Sequence, residues 1–192
     1  MAILEEDLMV ALKIWGDALI LISKDYEASG IDQARHTASE ILDNAYGFDL
    51  GPVLFKPTLS GGEKTFRTTK KGALSYFVGH NSDYPLDNGF GIQGWREVTL
   101  ETAAHFIQGE VAMWTGRVNM TDKNGEMTVV DKSFGYKKGP DGSLKIVLHH
   151  SSLAICPEHA ERVSHALPPR RDANHQRWYC LLYTSPSPRD FE

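Results

Sequence analysis

Four side chains in three short blocks carry the chemistry for which this sequence can be read. They are Thr58 in Phe55-Lys56-Pro57-Thr58, Tyr76 in Ser75-Tyr76-Phe77-Val78-Gly79, and His149 with Ser151 in Leu148-His149-His150-Ser151-Ser152. Hydroxyl groups both donate and accept hydrogen bonds, so three brought together can orient a small substrate rich in acceptors. A histidine, which titrates at about 6.5 when unperturbed, can serve beside them as general base or proton shuttle. Each block also has an ordinary reading. Thr58 after a proline can cap a turn, Tyr76 can be a core aromatic, and His149 with Ser151 can be a satisfied polar pair at a strand end or interface. Metal chemistry finds little support in the pattern. Side chains alternate across a strand, so His149 and His150 cannot both ligate one metal from the same regular strand. No His-x-His, Cys-x-x-Cys or His-Glu-x-x-His spacing occurs, which leaves a metal site open only through residues scattered in sequence.

These residues need elements to position them. Leu8, Leu12, Trp15, Leu19, Ile22 and Tyr26 recur at three- and four-residue spacing, which predicts an amphipathic helix over residues 4–28. Gly30 breaks it, and a second helix follows from Ile31 to Tyr46. Val53-Leu54-Phe55 is a short extended segment halted by Pro57, and residues 68–79 read as a third helix carrying Tyr76. Beyond Trp95 the composition turns to Val, Thr, Phe and Ile. Strands are predicted at 98–107, 110–121, 128–137 and 144–154, separated by Gly-, Asn- and Asp-containing turns. On the last of these, alternation puts Val147, His149 and Ser151 on one face and Leu148, His150 and Ser152 on the other. Helices first and an antiparallel meander afterwards make an α+β fold, a curved sheet wrapped around helices as a cone with an apolar pocket.

Composition sets the outer bounds. The chain has 192 residues, 41% of them hydrophobic, enough for one domain with a sizeable core. A net charge of −5 argues against nucleic acid and anionic membranes as partners, so any anion site must be a local arrangement. Two cysteines, Cys156 and Cys180, make neither a disulfide framework nor a metal motif. The start is acidic, without a basic leader, and no apolar run is long enough to span a membrane. As written, the chain is expected to be cytoplasmic; a chloroplast is the alternative if it is a fragment that lacks its leader. Residues 1–155 form the predicted domain. Residues 156–192, with five of the nine prolines and Tyr183-Thr184-Ser185-Pro186-Ser187-Pro188, read as a disordered or non-native tail.

Taken in this order and at these separations, the three blocks resemble the iota-class carbonic anhydrases. That class belongs to the NTF2-like superfamily and is close to the association domain of calcium/calmodulin-dependent kinase II. The resemblance covers Ile3 to Leu153, and Ser133-Phe134-Gly135-Tyr136 followed by Asp141-Gly142 is similar to the family's penultimate strand and hairpin. It implies the NTF2-like cone, reversible hydration of carbon dioxide to bicarbonate, and a substrate site lined by the hydroxyls of Thr58, Tyr76 and Ser151. Phe55, Phe77 and Trp114 would supply apolar walls. It also implies no required cofactor, with manganese or zinc left open.

The base for hydration stays undecided between a Tyr76 of depressed pKa and His149 acting on a water. The rival reading is a non-catalytic association-type module, and a third is isomerase chemistry with Glu101 or Glu110 as a carboxylate base. A homodimer is expected, because the convex sheet face has apolar residues and no helix to cover it. His150 and Ser152 would serve such an interface.

Overall fold

The computed structural model describes residues 2–154. The sequence expectation for residues 156–192 lies outside them. Helix α1 spans Glu5–Ala45 and is interrupted at Gly30, whose φ of 79° and ψ of −168° are not helical. The break comes where the sequence places it, since glycine alone enters that region without a Cβ penalty. Before the kink α1 buries Leu8, Leu12, Trp15, Leu19 and Ile22; after it, Ala34, Ala38 and Leu42. Burying each large apolar side chain contributes on the order of 1.5–3 kcal/mol, so this stripe binds the helix to the sheet.

Helix α2, Lys70–Val78, is capped by the Thr69 hydroxyl, which accepts from the Gly72 N–H at 3.3 Å. Gly79 ends it at a φ of 64°. A Cβ there would lie 2.9 Å from the Asp87 carbonyl oxygen, so only glycine lets the following loop return this closely. That return presses residues 87–90 against the helix that carries Tyr76.

Five strands form one open sheet: β1 Leu54–Lys56, β2 Trp95–Gln108, β3 Val111–Asp122, β4 Met127–Lys138 and β5 Leu144–Leu153. Their order is β1-β5-β4-β3-β2. Strands β2 to β5 form the antiparallel meander, while β1 joins the edge parallel to β5, with Phe55 opposite His149 and Lys56 opposite His150. The sheet is therefore mixed rather than wholly antiparallel. Its concave face packs on α1 and α2, giving the expected α+β cone with Trp15, Trp114, Phe134, Tyr136 and Ile146 in the core.

One predicted face is corrected. The β4–β5 register steps from Gly135–Leu148 to Tyr136–Ile146, which leaves Val147 as an extra residue in a β-bulge. Strict alternation fails across it, so Ile146 is buried with His149 and Ser151, while Val147 joins Leu148 on the outer groove. On that outer face Leu54, Phe106, Val111 and Met113 are exposed.

Candidate active site

The parallel β1–β5 pair assembles the predicted residues. Phe55 stacks on the His149 ring with centroids 4.3 Å apart and planes 11° from parallel. Two residues past the end of β1, Thr58 arrives beside the end of β5, and its hydroxyl bonds that of Ser151 at 2.6 Å. Tyr76 comes from α2, edge-on to Phe55 and stacked on Phe90 at 5.4 Å. Its buried hydroxyl has no hydrogen-bond partner among the described residues, although Thr58 is close enough to pull on its charge. Thr58, Tyr76, His149 and Ser151 therefore converge, all of them buried. Phe77 packs on Phe55 at 6.1 Å, and Trp114 sits one ring further away, against Phe134 at 6.0 Å.

Electrostatics counts against both candidate bases. Burial pushes the Tyr76 phenol well above its usual pKa, with Thr58 pulling only partly the other way. A tyrosinate at neutral pH is thus contradicted, because the desolvated site disfavours the anion. Burial likewise holds His149 well below its usual range, with the Lys132 and His150 charges adding to the effect. Both its ring nitrogens are engaged, Nδ1 with the Tyr46 hydroxyl at 3.0 Å and Nε2 with Lys132 Nζ at 3.0 Å. The Tyr46 hydroxyl in turn accepts from Trp15 Nε1 at 3.1 Å. His149 is a neutral link in a buried hydrogen-bonded chain.

Sequence reasoning missed Lys132. It lies opposite Ser151 in the β4–β5 register, buried to 3%, and its Nζ donates to Ser151 Oγ at 3.1 Å. The signal was present: Lys132 shares strand parity with Val130, Phe134 and Tyr136, all of which face the core. A second amine stands close by, since Lys56 Nζ donates to the Ser151 carbonyl at 2.9 Å. Two lysines beside Ser151 give an acidic protein a local positive site.

The wall behind Tyr76 is fixed by Asp87, which accepts from Arg67 at 2.6 Å and from the Ser75 hydroxyl at 2.7 Å. A pocket of 340 Å³ opens beside Tyr76, bordered by Leu59, Phe90 and Trp95. Glu101 and Glu110 are exposed, so neither is a cavity base. Among the described residues no group of three or more His, Cys, Asp or Glu side chains could hold a metal ion.

Residues 6–153 match the model of a family described as metal-independent carbonic anhydrase. A metal-independent carbonic anhydrase of Nostoc sp. is 48% identical over 152 residues, which cover 79% of this chain and 74% of the relative. The crystal structure of an iota-carbonic anhydrase from a cyanobacterium, complexed with bicarbonate, superposes with a TM-score of 0.79 at 47% identity. That match covers 80% of this chain and 94% of the other.

Proposed function

The chain belongs to the metal-independent carbonic anhydrase family, and we propose that it interconverts carbon dioxide and bicarbonate on the hydroxyls of Thr58, Ser151 and Tyr76. The observation that carries this reading is the buried Thr58–Ser151 hydroxyl pair at 2.6 Å, with the unpartnered Tyr76 hydroxyl beside it. Such donors fit a small planar oxyanion better than they fit a core. The donation order supports the role. Lys132 donates to Ser151, which frees the Ser151 proton for Thr58 or for substrate, and frees the Thr58 proton in turn. With bicarbonate present, the Thr58 and Ser151 hydroxyls turn to its oxygens and Tyr76 donates to a third. Phe55 and Phe77 suit carbon dioxide, which has no net dipole. Substrate and product pass through the pocket beside Tyr76.

The family's metal independence means that no metal-bound hydroxide is available. The hydroxyls therefore orient the reactants, and the proton must go elsewhere. Steady-state carbon dioxide hydration by Tyr76→Phe and Ser151→Ala tests the assignment. Each is expected to lose about 100-fold in kcat/KM, in line with removal of a preorganised oxyanion donor. Wild-type rates in both folded variants would refute it.

The same reading takes the chain as a homodimer joined across the outer sheet groove of 690 Å³, where Leu54, Phe106 and Met113 are exposed. Light scattering should give twice the chain mass, and the mass of one chain would contradict it.

A further inference from the structure

We propose that Lys132 is the general base of hydration, taking the proton from the water that attacks carbon dioxide. The inference rests on the reading that Thr58, Tyr76 and Ser151 hold the substrate. Its first support is the lysine's housing. Among the described residues Lys132 has no carboxylate partner: its Nζ meets His149 Nε2 at 3.0 Å and Ser151 Oγ at 3.1 Å. The amine also faces three rings, that of Trp15 at 4.6 Å and those of Phe90 and Phe134 at 5.9 Å each. A buried cation without a counter-ion costs stability, so chemistry is the better explanation for a lysine here.

The second support is reach. Lys132 sits at the donor end of the Lys132–Ser151–Thr58 hydroxyl array, hydrogen-bonded to the first group proposed to touch substrate. A water bound against Ser151 would lie within about one hydrogen bond of the amine. Neutral His149 presents one N–H and one lone pair, so it can meet the amine or the ammonium. Tyr46 and Trp15 hold its ring in place.

The third support is charge. Burial, followed by repulsion from Lys56, brings Lys132 down to about 7, where a general base works well at neutral pH. The titratable groups facing it are few. Among the described residues they are His149 on β5, in direct contact, and Lys56 at β1, whose charge repels it. Tyr46 after α1 is reached only through His149, Tyr76 on α2 only through the Phe90 ring, and its β3 register partner, Gly116, adds none. Asp87, from the loop behind Tyr76, is held by Arg67 and Ser75.

The step balances. The water oxygen bonds to carbon as one of its O–H bonds breaks. The proton passes to the Lys132 lone pair, and a C=O π pair becomes the charge of bicarbonate. An amine facing neutral carbon dioxide thus becomes an ammonium facing an anion, so the site stays matched in charge on both sides of the reaction. Release of the proton to solvent resets the amine.

The test is stopped-flow hydration of the full chain across about pH 6 to about pH 9, for wild type, Lys132→Met, Lys132→Arg and Ser151→Ala. Wild-type kcat/KM should rise with pH and level off above about 7. Lys132→Met should lose about 100-fold or more and the inflection with it. Lys132→Arg keeps a cation but cannot release a proton, so it should be equally slow and covers the case in which the Met variant does not fold. Ser151→Ala should be slow yet keep the inflection. Wild-type rates in either Lys132 variant, or a wild-type profile without an inflection near neutrality, would overturn the assignment. Slow Lys132 variants beside a fully active Ser151→Ala would instead keep the base and refute the hydroxyl reading.

Discussion

Arg67 and Lys132 are buried to the same 3%, yet the protein houses them in opposite ways. Arg67 has a carboxylate, Asp87, at 2.6 Å, and its guanidinium lies 4.6 Å from the Tyr84 ring centroid. It is a permanent charge with a permanent partner, fixing the loop behind Tyr76. Lys132 has hydroxyl, imidazole and aromatic neighbours but, among the described residues, no counter-ion. Lys145, nearly as buried, takes a third course and donates to the carbonyls of Asp43 and Asn44. A paired or carbonyl-capped cation holds a fold together. An unpaired one is free to change its charge.

Substitutions can break that contrast. Arg67→Met leaves Asp87 buried and uncompensated, and should destabilise the protein by about 3–5 kcal/mol in urea unfolding. Lys132→Met should move the other way at neutral pH, a gain of about 1–4 kcal/mol, because it replaces an unpaired buried cation with an apolar chain of similar length. A loss of stability in that variant would show that the lysine is structural. Together with the rate loss proposed for Lys132→Met, a gain would mark a residue kept for activity at the expense of stability.

Wild-type stability should also depend on pH in a way that identifies Lys132. Its folded pKa of about 7 lies below the unfolded value of about 10.4. Between those values the unfolded chain binds more protons, so stability should rise with pH from about 7 to about 10 and be lowest below that window. At about 1.4 kcal/mol per unit, the rise could reach about 5 kcal/mol at most. Unfolding titrations should find the rise in wild type and not in Lys132→Met. A flat profile in wild type would mean the lysine titrates normally.

Smaller effects sharpen the picture. Tyr46→Phe removes the hydroxyl between Trp15 and His149 and should cost about 1–3 kcal/mol of stability, with little change in the pH at which the rate inflects. His150, exposed on the opposite face of the same strand, should tolerate alanine within about 0.5 kcal/mol in the monomer. A larger loss that depends on protein concentration would place it in an interface.

Much of this arrangement could be read from the sequence, for identifiable reasons. The apolar stripe from Leu8 to Ile22 and the break at Gly30 are local signals, and local physics decides them. Alternation put His149 and Ser151 inside and His150 outside. It failed only at Val147, where a bulge set by pairing with Gly135 shifts the phase. The joining of Thr58 to Ser151 spans 93 residues and depends on β1 adding parallel to β5, which no local pattern encodes. Lys132 had the right parity, but a lysine in mid-strand is ordinarily a solvent-facing residue. Its role emerges only once the enclosing Trp15, Phe90 and His149 are in place. Of the bases suggested by side-chain type alone, Tyr76 gave way because burial disfavours its anion, and His149 because burial leaves it a weak base whose two ring nitrogens are both engaged.

The most direct test of a metal-free, hydroxyl-lined, lysine-driven site is the rate of carbon dioxide hydration in a strong chelator, followed by stopped flow from about pH 6 to about pH 9. Undiminished activity that rises through an inflection near neutrality, and loses that inflection in Lys132→Arg, is the predicted result. Activity abolished by the chelator and restored by manganese or zinc, or a Lys132→Arg variant with the wild-type profile, would contradict it.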